Sequence, residues 1–228
     1  MTGTAPAPAI RLHEVTKVYP GPGGGVRALD HLSLEVHGGE FLAVTGPPGS
    51  GKSTLLRLMG CLEAPTAGEI LVGGRKVGAL NDDDLSVLRR EGIGFVFQQG
   101  NLLPLMTLLE NMEVPLLLKG HAKIDRGRSR ELLRAVGLPP GLDTRRPEEL
   151  PEGQLQRAAI ARALVNDPGI LLCDEPAGNL DSGTGDGIMD LLASLNREGR
   201  TIILATHNPR IAARAGRAIR LADGRVVA

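Results

Sequence analysis

Gly46-Pro47-Pro48-Gly49-Ser50-Gly51-Lys52-Ser53-Thr54 fits G-x-x-x-x-G-K-[ST], the pattern of a glycine-rich loop that wraps a phosphate group. The apolar run Phe41-Leu42-Ala43-Val44 leads into it. Leu55, Leu56, Leu58 and Met59 carry a helical pattern out of it, completing the strand–loop–helix context that the motif requires. Glycines let the backbone curl until several N–H groups face one phosphate, and the helix N-terminus adds partial positive charge. In that arrangement Lys52 reaches the β- and γ-phosphates and the Ser53 hydroxyl holds Mg²⁺. An accidental glycine-rich turn would lack the flanking strand and helix. The stretch reads as a nucleotide site.

A chain of 228 residues suits one large domain or two small ones, with ample length for a core. Lys and Arg number 26, as do Asp and Glu, so no bulk charge points to nucleic acid or anionic lipid. With no Trp, one Tyr and three Phe, platforms for stacking single-stranded bases are not expected. Cys61 and Cys173 lie in apolar surroundings without metal spacing and read as reduced core thiols of a cytosolic protein. Met1 to Ala9 has neither a basic start nor an apolar core and reads as a loose tail rather than a signal. Leu102 to Leu118 is the most apolar long stretch, yet Glu110, Glu113 and Pro115 interrupt it, so it cannot span a bilayer. The chain is expected to be soluble by itself.

Outward from the loop, Ile10–Tyr19 and Leu32–Val36 alternate apolar and polar residues as half-buried strands do, around the turn at Pro20 to Gly25. Glu69–Val72 and Arg75–Val77 flank Gly73-Gly74 as a hairpin. Asn81 caps a short helix to Arg90, and Ile93–Phe97 is a strand. From Gln98 to Leu150 the pattern turns helical, with helices over Thr107–Leu118 and Asp125–Val136 and no strand signal between them. A helix over Gly153–Val165, a buried strand Ile170–Cys173, a helix Thr184–Leu195 and a buried strand Thr201–Ala205 follow. Pro209–Ala215 reads as a short helix and Ala218–Val227 as a terminal hairpin. Strands alternating with helices on both sides of a helical insert imply an α/β fold with a mostly parallel core sheet.

Asp174-Glu175 directly follows a buried strand. Near a P-loop, one carboxylate there can hold Mg²⁺ and its neighbour can orient and deprotonate the attacking water. Without a P-loop the pair would simply open a polar loop. His207 also follows a buried strand; most lone histidines are structural or exposed, but the C-terminal edge of a parallel sheet is where ligands bind. Gln98 follows a third strand and can offer its amide to the metal or a water, although the residue alone reads as a strand-end polar group.

These strand ends, together with Leu150-Pro151-Glu152-Gly153-Gln154-Leu155-Gln156-Arg157, resemble the ATP-binding cassette (ABC) transporter ATPases over nearly the whole chain. Gly60-Cys61-Leu62-Glu63 and Gly94-Phe95-Val96-Phe97-Gln98-Gln99 are similar, in particular, to the compact ATPases of lipoprotein-release and macrolide-export systems. The resemblance implies one ABC ATPase domain over residues 1–228: a P-loop core, an N-terminal antiparallel β subdomain and a helical subdomain near 99–150. It implies ATP and Mg²⁺ as ligands, Walker A at 46–54, Asp174 on the metal and Glu175 as catalytic base. It further implies Tyr19 stacking on adenine, Gln98 linking the metal site to the membrane subunit, a D-loop at Gly178-Asn179-Leu180-Asp181, and His207 as the switch on the γ-phosphate. Tyr19 at the end of an edge strand would otherwise be read as packing; it is the only Tyr in the chain. The implied partners are a permease subunit and a second cassette, identical or different, with the protein held peripherally on the cytoplasmic side of the cell membrane.

The chain departs from the family at the signature, whose pattern is Leu-Ser-Gly-Gly-Gln. Here Pro151 and Glu152 stand in place of Ser and the first Gly, ahead of Gly153 and Gln154. Pro151 offers neither a hydroxyl nor an N–H to a partner's γ-phosphate, and Glu152 brings a like charge. At ~6 Å and an effective dielectric of ~20, one such pair costs roughly 3 kcal/mol. Both residues are also good first-turn helix formers, so the loop reads as a sound helix start that grips phosphate poorly. Pro48 and Ala177 are smaller departures, at positions where Ser and Thr are usual. A working transport ATPase is therefore expected, with a non-hydrolysing sensor or scaffold as the alternative. A nucleic-acid maintenance ATPase would need long heptads or a basic face, and neither is visible.

Overall fold

Three uninterrupted apolar runs set the centre of the molecule, because a strand without polar alternation must be covered on both faces. In the computed structural model, which describes residues 7–21, 24–120 and 124–227, the strands are β1 (Ile10–Tyr19), β2 (Val26–Val36), β3 (Phe41–Thr45), β4 (Ala67–Val72), β5 (Arg75–Lys76), β6 (Ile93–Val96), β7 (Ile170–Asp174), β8 (Thr201–Thr206), β9 (Arg217–Ala222) and β10 (Arg225–Val227). The helices are α1 (Lys52–Met59), α2 (Asp82–Gly92), α3 (Leu108–Leu118), α4 (Arg126–Ala135), α5 (Glu152–Leu164), α6 (Ser182–Arg197) and α7 (Pro209–Ala212). The apolar runs are β3, β7 and β8, and they lie together inside a six-stranded sheet ordered β10-β9-β3-β8-β7-β6. From β9 to β6 every pairing is parallel, and β10 closes the edge antiparallel to β9. A separate antiparallel sheet, ordered β2-β1-β4-β5, forms the N-terminal part.

Period-two alternation sends successive side chains of the central strands into two different cores. Leu42, Val44, Leu172 and Ile203 pack on one side with Leu55, Leu56, Leu58 and Met59 of α1 and with the inner face of the antiparallel sheet. Leu171, Cys173, Ile202 and Leu204 pack on the other side with Ile160, Leu164, Ile188, Met189 and Leu192 of α5 and α6. Each such side chain is worth about 1.5–3 kcal/mol when fully buried. Both cysteines are buried free thiols; burial pushes Cys61 up to about 11 and Cys173 up to about 12, so neither ionises near neutral pH.

Several segments differ from the sequence reading. The second strand begins at Val26 rather than Leu32, because residues 26–31 pair with the far end of β1 across bulges that simple alternation does not reveal. The hairpin after Gly74 is only two residues long before the chain tightens into a 3-10 turn at Val77–Ala79. The terminal hairpin is part of the core: β9 runs parallel to β3, a pairing between segments far apart in the chain. Most of the expected tail (residues 1–6), along with Pro22 and Gly23 of the expected turn, lies outside the described residues.

Between Gln98 and Leu150 no strand occurs among the described residues. Thr107 and Glu110 form a capping box at the start of α3, and Arg126 Nε pairs with Glu113 at 2.6 Å to fasten α4 to α3. Asn111, 1% exposed, ties down the preceding loop with its whole amide. Its Oδ1 accepts from Leu103 N at 2.7 Å, and its Nδ2 donates to the carbonyls of Leu103, Met106 and Thr107 at 2.9–3.2 Å. The loop so held presents Leu103, Leu105 and Met106 outward, with Leu105 84% exposed. Asn111→Ala removes all four of these side-chain bonds to the loop, which costs about 2–3 kcal/mol. Urea unfolding should show that loss, and amide exchange at Leu103 should quicken; an unchanged midpoint would contradict this role.

Candidate functional site

The parallel sheet brings the carboxyl ends of β3, β7 and β8 side by side, and the chemistry-bearing residues follow those ends directly. After β3 the chain turns through Gly46, Gly49 and Gly51, all at positive φ, and enters α1 at Lys52. A Cβ on Gly46 would collide with the Leu221 carbonyl, and one on Gly51 with the Ala28 carbonyl. Glycine is therefore required at both places by the approach of other backbones as well as by φ. Lys52 is buried and donates from Nζ to the carbonyls of Gly46 (2.8 Å) and Pro47 (3.0 Å), so its ammonium already lies over the concave side of the loop. Ser50 Oγ is buried and has no hydrogen-bond partner. A cradle of free backbone N–H groups, an interior ammonium and an orphaned hydroxyl together fit a polyphosphate.

Ser53, in the first turn of α1, faces the carboxyl of Asp174 at the end of β7 closely enough for its hydroxyl to favour the ionised form. Burial pushes Asp174 above the usual carboxylate range, and the neighbouring Glu175 charge adds to it; the Ser53 hydroxyl, Arg57 and Lys52 offset this only in part. Two hard oxygen donors meet here in a half-buried site. That is the protein share Mg²⁺ commonly takes beside phosphate oxygens, so the donor set fits this ion.

Glu175 has φ 48°, a conformation uncommon for a non-glycine residue, held by its N–H donating to the Ala205 carbonyl at 2.9 Å. The turn aims its carboxylate across β8. Oε2 accepts from the Thr206 hydroxyl at 3.1 Å, while Oε1 accepts from His207 N at 2.9 Å and lies 2.7 Å from His207 Nδ1. For that last contact the proton sits on Nδ1, leaving Nε2 turned outward on a ring 58% exposed. Glu175 is thus parked, its acceptor capacity mostly filled by β8 and the residue after it.

The remaining candidates lie around this centre at differing reach. Gln98 is exposed, and its amide meets Asn179 Oδ1 at 3.5 Å; it touches none of Ser53, Asp174 or Glu175 by hydrogen bond. Tyr19 ends β1 beside α1, with its hydroxyl donating to Glu63 at 2.6 Å and lying 3.4 Å from Thr54 Oγ1. Lys17 Nζ sits 5.0 Å from the centre of that ring. Pro151 caps α5 without any side-chain bond, and its carbonyl takes the N–H groups of Gln154 and Leu155. The N–H groups of Glu152 and Gly153 remain free for a ligand at this helix start. Gly153 packs so closely on Thr184 that a Cβ would collide with it. Asp181 caps α6 by accepting from Thr184 N at 3.0 Å; the Thr184 hydroxyl, followed by that N–H, holds its carboxyl below the ordinary value. The signature loop and α6 therefore meet at one residue. Thr206, Asn179 and Glu63 were not singled out from the sequence as contacts, because each acquires its partner only through strand or helix packing.

Fold and site define a P-loop nucleotide-binding protein with an antiparallel β subdomain and a helical insert. The family description "ABC transporter" matches residues 29–178. The macrolide export ATP-binding/permease protein MacB 1/2 of Paracoccus denitrificans is 48% identical over 223 residues, 97% of this chain but 33% of that protein. An uncharacterised ABC transporter ATP-binding protein of Methanocaldococcus jannaschii, MJ0796, is 46% identical and matches along 95% of this chain and 94% of its own length. The dimeric post-hydrolysis structure of MJ0796 bound to ADP and Pi superposes with a TM-score of 0.90 at 44% identity, covering 96% of this chain and 97% of that one. This chain belongs to the ABC transporter family. Within it the chain corresponds to the ATP-binding cassette. It spans about a third of the length of the MacB relatives.

The raised Asp174 has a consequence for stability. A carboxyl whose folded pKa lies above its unfolded value of 3.8 stabilises the fold fully below that value and loses the contribution as pH rises through the folded pKa. At neutral pH the ionised side chain therefore opposes folding of the free chain. Asp174→Asn should raise the thermal midpoint without nucleotide, yet abolish the extra stabilisation that Mg²⁺ gives in the presence of ATP. A lowered midpoint, or an undiminished Mg²⁺ effect, would refute this placement of the metal.

Proposed function

We propose that this cassette hydrolyses Mg-ATP to drive a membrane permease, working as one of a pair of cassettes on the cytoplasmic side of the cell membrane. The observation that carries this reading is the gathering of Lys52, Ser53, Asp174, Glu175 and His207 at three adjacent strand ends. Lys52 exchanges its two carbonyl partners for the β- and γ-phosphates. Ser53 and Asp174 hold Mg²⁺, which when bound supplies Lewis-acid stabilisation of the phosphate oxygens. His207 leaves Glu175 for the γ-phosphate, and the freed carboxylate orients and deprotonates the attacking water. Tyr19 receives the adenine ring, steadied from behind by Glu63. Gln98 links the metal site to the membrane subunit, and the D-loop at 178–181 crosses toward the partner cassette.

All 228 residues are read as one such domain, with the helical part near 99–150 facing the permease. The loop pinned by Asn111 supports this, since a rigid loop offering Leu103, Leu105 and Met106 suits a short apolar segment of a partner. Among the described residues no helix is long and apolar enough to cross a membrane. Two copies of this chain, or this chain with a different cassette, form the pair; in either case the site facing Pro151 and Glu152 closes weakly. At that site two free N–H groups oppose one carboxylate.

Glu175→Gln should keep Mg-ATP affinity while turnover falls by about 10²–10⁴-fold, the usual worth of a general base. Turnover at the parental rate would remove Glu175 from this role.

Restoring Pro151→Ser with Glu152→Gly should raise turnover and the ATP-dependent dimer fraction at saturating Mg-ATP, with monomer ATP affinity unchanged. Equal turnover and equal dimer fraction in the two proteins would show the altered loop to be harmless. Absence of turnover in both, with ATP still bound, would favour the sensor alternative.

A further inference from the structure

The phosphate loop rests on a floor made of two segments far apart in sequence. Ser50 O accepts from Gly224 N at 3.2 Å, and Gly224 O accepts from Asp30 N at 3.0 Å. Gly46 abuts the Leu221 carbonyl and Gly51 the Ala28 carbonyl, while a Cβ on Gly224 would meet Ala28 O at 2.8 Å. One half of the floor is therefore β2 around Ala28 to Asp30, and the other is the turn between β9 and β10. Both halves touch the loop, so their mutual position sets its curvature.

One carboxylate joins them. Asp30, with its side chain 9% exposed, accepts from Arg225 through Nε at 2.8 Å and also through Nη2. Its other oxygen takes Arg27 Nη1 at 2.9 Å and His31 Nδ1 at 2.8 Å, but those residues lie on β2 itself. Arg225 alone among these partners comes from the hairpin. Among the described residues, the other side-chain link from this hairpin to β2, Arg217 to the Glu35 carbonyl, lies at the far end of β9 from the phosphate loop. We infer that the Asp30–Arg225 pair is a positioning device for the nucleotide: by fixing the hairpin turn against β2 it sets the shape of the phosphate loop, and with it the affinity for the polyphosphate of ATP. This rests on the nucleotide reading of residues 46–54 and extends it to residues that touch no ligand.

The device has a specific signature. Loosening the floor turns the N–H groups of the loop away from their common focus, so binding of any polyphosphate weakens. Glu175, Asp174 and His207 stand on β7 and β8, away from the hairpin, so the chemical step survives once the site is filled.

Arg225→Gln is the informative variant, because the Arg225 side chain is 66% exposed and its loss leaves Asp30 with Arg27 and His31. Calorimetry on the full chain would measure the Kd for Mg-ATP and for inorganic tripolyphosphate, which lacks the nucleoside. Circular dichroism would set a temperature at which every variant is folded. The expected result is a loss of about 5- to 10-fold for both ligands, the scale of one net hydrogen bond. Turnover at saturating Mg-ATP should stay within about twofold of the parent, Arg225→Lys should recover part of the affinity, and Asp30→Asn with Arg225→Gln should bind no worse than the weaker single variant. Parental affinities in folded Arg225→Gln, a loss confined to ATP, or a fall in turnover with unchanged Kd would each overturn the inference. If Arg225→Gln does not fold, Arg225→Lys decides by the same measurements. A parental chain that binds neither ligand would overturn the nucleotide reading itself; parental binding with no effect at Arg225 overturns only the clamp.

Discussion

The carbonyls of Leu221 and Ala28 occupy the places where side chains on Gly46 and Gly51 would have to sit, and the rest of the site depends on that contact. Because those glycines carry no Cβ, the loop after β3 can sink onto β2 and the terminal hairpin instead of standing free. Sinking it there orients α1 so that Lys52 lies over the loop and Ser53 reaches Asp174. Central strands buried on both faces then fix β7 and β8 alongside, so Asp174, Glu175 and His207 need no further scaffold.

A second constraint is electrostatic. Asp174 and Glu175 are adjacent carboxylates in a partly buried place, and the structure separates their environments. Asp174 faces Ser53 and carries a desolvation cost, while Glu175 is turned by its positive φ toward Thr206 and His207. One group thus keeps a partly unmet need for positive charge, while the acceptor capacity of the other is largely filled. Division of labour between neighbouring acids follows from environment rather than from residue type.

The signature loop contrasts with this economy. Pro151 and Glu152 start α5 without strain, and Gly153 retains the close packing on Thr184 that couples this helix to α6. The fold has accepted the departure fully, because helix formation asks little of the first turn beyond compatible φ and a tolerable charge. Only a partner's phosphate would register the lost hydroxyl and the added carboxylate. A local substitution can in this way leave structure intact while altering an interface.

The sequence by itself determined the phosphate loop, the buried strands, the helical insert and the residues at the strand ends, because each depends on spacing within a few residues. Glycine pattern, apolar runs and caps such as Asn81 and Thr107 are local physics, and the structure follows them. Its family resemblance was legible for the same reason. What only the tertiary structure decided are the contacts made across the chain. These include β9 lying parallel to β3, Thr206 and His207 closing on Glu175, Gln98 meeting Asn179 rather than the metal-site acids, and Arg225 reaching Asp30. No periodicity marks such pairs: Asp30 is one of 26 acidic residues until the hairpin folds beneath the loop and gives it Arg225. Long-range partners are selected by which surfaces pack together, and that is a property of the folded chain rather than of any segment of it.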